Sequence, residues 1–169
     1  MTAQSALPRS SRHILAVGFA ATATSLLASL LVLLWGLGRA VSHPEAQDVL
    51  TRWFVGLWDN LVVDRTRVTF TWALVAFVLT GIAYAYLYAL AVGPVLYRVE
   101  AFAARPWLCG LLFGPIPWFA TLFVTLPLVG AGFLGSGLAA GGFAWLALAA
   151  HLLHGLLLGT WFRATSGSG

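Results

Sequence analysis

The sequence has no lysine, one cysteine and few charges of either sign. All nine basic residues are arginine, so the formal charge of +4 comes from guanidinium groups alone. In a chain rich in Ala, Leu, Gly and Arg, this reads first as the mark of GC-rich codons. The arginines are scattered singly at the edges of apolar segments rather than gathered into a patch, which argues against nucleic acid as a partner. The single cysteine, Cys109, excludes an intramolecular disulfide, a CxxC redox pair and a thiolate-ligated cluster supplied by this chain alone. It stands beside Gly110 in an apolar run and reads as a small buried side chain. Charged residues make up 8% of the chain, against about 25% in soluble domains. With 60% of its residues hydrophobic, the chain is built for lipid rather than water.

Four long stretches carry no formal charge: residues 14–37, 68–92, 107–129 and 143–162. Each is long enough to cross a hydrocarbon core of about 30 Å as a helix. The first follows a polar segment, 1–13, and could be mistaken for a secretory signal. Its 24 residues exceed the roughly 7 to 15 of a signal's apolar region, so it is expected to stay in the chain as a span. Lipid offers no partner for an unpaired backbone amide, and the alternating pattern of barrel strands is missing from these runs. The expected class is therefore an all-α membrane protein, one four-helix transmembrane domain over residues 1–169. Gly93-Pro94 is expected to close the second helix, and a glycine-rich stretch, 130–142, to follow the third.

An even number of crossings places both termini on one side. Arg9, Arg12, Arg98, Arg105 and Arg163 fall on that side, against Arg39, Arg52, Arg65 and Arg67 on the other. The excess favours cytoplasmic termini. The external segment 38–67 holds its own helix signal. Ser42-His43-Pro44-Glu45 fits an N-cap and capping box, and Leu50, Trp53, Phe54, Leu57, Trp58 and Leu61 recur at spacings of three and four. An amphipathic helix over about 43–62 is expected, its Trp53 and Trp58 lying on the membrane surface or against a partner subunit. The tail, 163–169, is expected to be flexible.

Ionisable residues at membrane depth usually mark ion pathways and proton relays. The four runs hold no carboxylate and no guanidinium, which weighs against an ion-coupled transporter, a proton pump or an intramembrane hydrolase. His151 and His154 are the remaining candidates, three apart on the fourth helix and close to the midplane, where a polar ring should face protein. Two histidines on one helix cannot ligate a heme from both faces, and His13 and His43 lie at opposite membrane boundaries, more than about 10 Å away by helix rise. No cofactor is expected from this chain alone. A heme held by one axial histidine, or shared with another subunit, is the alternative, and hydrogen bonding between helices is the plain reading of the pair.

Packing signals are clearer. Ala147, His151, Gly155 and Gly159 share one face of the fourth helix, and Gly110 and Gly114 form a small-xxx-small pair on the third. Pro115 and Pro117 remove two backbone donors from the third helix and are expected to break or kink it, a structural kink first and a transporter binding site second. Thr80, Tyr84 and Tyr88 form a polar stripe on the second helix. An aromatic belt accounts for Tyr84, Tyr86, Tyr88 and Tyr97, with a quinone pocket or lipid groove as the alternative.

The carboxy-terminal half, with Cys109-GLLFGPIPWFATLFVTLPLVGAGF-Leu134 followed by His151-LLHGLLLG-Thr160, resembles an uncharacterised YagU-like family of small four-helix prokaryotic inner-membrane proteins. The resemblance covers about residues 109–160 and implies the fold and a prokaryotic inner-membrane location, with no known reaction. The functional expectation is a non-catalytic accessory or structural subunit of a larger membrane complex, respiratory or photosynthetic electron transport being the setting. Its partners would be the bilayer and other membrane subunits. The alternatives are a heme- or quinone-binding electron carrier using His151 or His154, and a small-molecule or lipid transporter with its site at the broken third helix.

Overall fold

The computed structural model describes residues 11–42, 70–128, 130–137 and 143–164. The expected amphipathic helix with Trp53 and Trp58, the polar N-terminal segment before residue 11, and the tail beyond residue 164 lie outside the described residues. What is described is helical, and the chain is an all-α membrane protein. Four helices are long and apolar enough to cross a membrane: Ser11–Gly36, Val75–Leu96, Pro106–Leu128 and Ala144–Arg163.

The first helix, α1, runs Ser11–Ser42 without interruption, beyond the expected 14–37 at both ends. No proline falls between Pro8 and Pro44, and three of its hydroxyl residues are satisfied within the helix. The hydroxyls of Thr22, Ser25 and Ser29 donate to the carbonyls four residues back, at 2.7, 2.8 and 2.9 Å. In lipid that internal satisfaction is what makes a serine tolerable.

The second span departs from expectation, because Gly93-Pro94 does not close it. After α2 (Phe70–Leu87) comes a five-residue π-helical turn, Tyr88–Val92, and then α3 (Gly93–Leu96), which continues past the proline. Gly93 donates to Tyr88, five residues back. The wider turn gives the pyrrolidine ring the room that a tight α-turn denies it. A short helix, α4 (Glu100–Ala103), then leads into the third span.

That span is α5 (Pro106–Phe113), α6 (Pro115–Ala120), a second π turn (Thr121–Thr125) and α7 (Leu126–Leu128). Pro115 and Pro117 interrupt the hydrogen-bond ladder near the middle of the span, yet the chain is not broken there. Gly114 keeps right-handed helical dihedrals, φ −49° and ψ −40°, and the next amide able to bond it, that of Trp118, does so at a long 3.4 Å. Three glycines at positive φ, Gly130, Gly132 and Gly135, turn the chain back toward α8 (Phe143–Ala164).

Packing follows a row. The first helix lies between the second and fourth, and the fourth lies between the first and third. The row closes at the end where α1 starts and α8 finishes, called here the base. There Tyr88, fully buried, sets its ring edge against Phe113 at 5.3 Å and against Phe162 at 5.9 Å. Tyr86 donates its hydroxyl to the Ser11 carbonyl, and His13 meets Phe162. At the far end a smaller cluster, Leu122, Leu126 and Ala131, packs with Trp118 and Ala144.

Candidate functional site

His151 and His154 project from one stretch of α8 toward different neighbours. The His151 Nδ1 donates to the Ala147 carbonyl at 2.6 Å, and its Nε2 lies 3.2 Å from the Thr121 hydroxyl on the third span. In the neutral ring a donating Nδ1 leaves Nε2 as acceptor, so Thr121 donates to it. Both nitrogens are then occupied. The first residue of the π turn supplies that hydroxyl.

His154 turns to the first helix. It is 6% exposed, its ring reaches the Ala21 carbonyl, and its Nε2 is buried with no hydrogen-bond partner among the described residues. Of the two rings, His154 alone therefore carries a nitrogen open to a ligand. That nitrogen is enclosed on every side, however, whereas a macrocycle needs a flat slot reaching the lone pair. Heme ligation at His154 would require the helices to part. Among the described residues no three His, Cys, Asp or Glu side chains gather into a metal-binding group. Cys109 is fully buried, its thiol directed at the Phe102 carbonyl at 3.4 Å.

The glycines expected at an interface meet one another. A Cβ on Gly110 would collide with the Gly155 carbonyl and lie 2.8 Å from the Gly159 nitrogen, and one on Gly155 would collide in turn with the Gly110 carbonyl. On Gly114 it would fall 2.8 Å from the His151 carbonyl, and on Gly159 it would run into the Pro106 carbonyl. The third and fourth spans thus pack backbone against backbone, and Ala147 is buried on the same helix. Trp118 adds a hydrogen bond from Nε1 to the Ala144 carbonyl at 2.8 Å. Pro117 is buried in this contact, while Pro115 is half-buried beside it.

A second close approach was not anticipated. A Cβ on Gly18 would sit 2.6 Å from the Ala85 Cβ, and one on Gly81 would lie 2.9 Å from the Thr22 Cβ, so the first and second helices also meet through glycine. The signal was present in the spacing of Gly18 and Thr22, and of Gly81 and Ala85, each four apart. Tyr88 also changes role. Its hydroxyl pairs with that of Tyr97 at 2.8 Å inside the base, so it belongs to the core rather than to an aromatic belt.

The class this arrangement defines is a four-span helical membrane protein with two glycine-lined helix contacts and an intramembrane histidine pair. No protein family, no curated protein and no solved structure matches the chain.

Proposed function

We propose that the chain is a non-catalytic accessory or structural subunit of a larger membrane complex, of the kind found in respiratory or photosynthetic electron transport, in a prokaryotic inner membrane with both termini in the cytoplasm. The observation that carries this reading is the state of the second helix. Only 17% of its most apolar window is buried inside the chain, the smallest share of the four spans. It is held along its length by the first helix and touches the third span at the base, through Tyr84 and Tyr88 against Phe113. Its remaining flank, with Val75, Phe77, Leu79, Leu87 and Leu90, is exposed. Helices in lipid associate through close packing rather than through apolar burial, so a span packed along its length on one side only has surface left for another.

The test is extraction of the tagged chain from its native membrane in mild detergent. Stoichiometric copurification of other membrane polypeptides is the expected result. A monodisperse chain that leaves the column alone would overturn the reading. Labelling of Ser11→Cys in sealed inverted vesicles, but not in intact cells, is expected from the same preparation if the termini are cytoplasmic.

A further inference from the structure

The base of the bundle gathers four guanidiniums. Arg12 opens the first helix, Arg98 and Arg105 bracket α4, and Arg163 closes the fourth span, all of them exposed. Among the described residues Glu100 is the one acidic side chain. The other four, Glu45, Asp48, Asp59 and Asp64, belong to the connection between the first two spans.

The arginines stand on an ordered platform. The chain from the second to the third span is a series of turns, in which Val99 donates to Leu96, Phe102 to Val99, Ala104 to Glu100 and Arg105 to Phe102, at 3.0 to 3.1 Å. The Cys109 thiol ties Phe102 down from inside the bundle. Arg163 rests over the Tyr97 ring, 5.5 Å from its centroid, which holds the fourth span's guanidinium beside this connection. The connection and the helix ends that flank it also expose apolar side chains, Val95, Val99, Trp107 and Leu112.

We propose that this end binds the headgroup of an anionic phospholipid, with Arg98 and Arg105 grasping the phosphates while the acyl chains lie along Val95, Val99 and Leu112. A guanidinium presents a planar fork that matches a phosphate's oxygens. Fixing two of them on an ordered turn removes part of the entropic cost of binding. The exposed apolar side chains near the arginines are what select a lipid over a soluble anion or an acidic peptide, neither of which has chains to lay against them.

The experiment immobilises the purified full-length chain in neutral detergent and offers it fluorescent phosphatidylglycerol or phosphatidylcholine of identical acyl chains. Retention of the glycerol lipid about 25-fold above the choline lipid, about fivefold for each of the two guanidiniums, is expected. The double variant Arg98→Gln/Arg105→Gln should lose about fivefold in that retention per guanidinium removed, with phosphatidylcholine unaffected. Arg39→Gln, near the opposite end of the first helix, should behave as wild type. Equal retention of the two lipids would overturn the proposal, as would a double variant that keeps the preference or displacement of the lipid by millimolar inorganic phosphate, which would mark a site for free anions. Should the double variant fail to elute as wild type from a sizing column, Arg98→Gln alone decides the matter by the same fivefold criterion.

Discussion

At Gly110 and Gly155 the third and fourth helices come as near as two backbones can, and a single methyl group is the unit in which that contact is specified. A Cβ at either position points into the other helix's carbonyl oxygen, which has no rotamer with which to yield. Overpacking of a tight contact costs about 1 to 3 kcal/mol, and a collision with backbone belongs at the upper end. Gly155→Ala should therefore destabilise the protein by about 3 kcal/mol in reversible unfolding from detergent, while Gly38→Ala, which meets nothing within 4 Å, should be neutral. Equal effects from the two changes would refute the assignment. These glycines were legible as small-residue faces before their partner was known. The two histidines were legible only as a pair that should face protein. That His151 is saturated by Ala147 and Thr121 while the His154 Nε2 is left over depends on which helix lies opposite each ring, and helix spacing carries no such information.

Among the elements, the third span shows how a sequence full of helix breakers still crosses a membrane. Proline lacks a donor, and in lipid the freed carbonyls must be answered or tolerated. Gly114 keeps the helical path, and the π turn at Thr121–Thr125 then shifts the register of everything beyond it. A π turn is one extra residue taken up in about the rotation of an α-turn, so deleting the exposed Val124 should let the turn close as α-helix and leave Leu126 in its cluster with Leu122 and Ala131. A change of less than about 1 kcal/mol is expected in the same unfolding measurement, with the span kept helical by circular dichroism. A loss of several kcal/mol would show that the turn is more than a one-residue insertion and itself sets the far-end packing. The existence of this span was plain from its apolar length. The π turns were not, because a one-residue excess in a helix leaves no periodic trace in so uniformly apolar a run. The same blindness put the end of the second span at Gly93-Pro94, where the chain carries on to Leu96.

For the molecule as a whole, the base is where the row of helices becomes a bundle. Tyr88, Phe113 and Phe162 bring the second, third and fourth spans to one point, and the Tyr97 hydroxyl completes the cluster from the connection beyond. Lipid solvates apolar side chains as well as protein does, so what the cluster contributes is close packing and one hydrogen bond rather than transfer from water. Tyr88→Phe should cost about 1 kcal/mol for the lost hydroxyl pair, and Tyr88→Ala about 3 kcal/mol or more for the cavity. If the two changes cost the same, the ring is not the keystone of the base. Read by sequence, Tyr88 was one of four belt tyrosines, since a tyrosine near a helix end looks alike whether its ring meets lipid or a neighbouring phenylalanine.

What the sequence by itself determined is whatever one helix can settle alone: four charge-free runs of spanning length, the faces on which small residues gather, and the placing of two histidines at depth. Length and charge suffice there, because the bilayer acts on each segment separately. Only the tertiary structure decided which glycine face meets which, that Gly18 and Gly81 join the first two helices, that Tyr88 is core, and that Arg163 rests over the Tyr97 ring. Those outcomes depend on the order of helices around the bundle, and in lipid that order is selected by the fit of surfaces a few ångströms across, which no periodicity along a single chain records.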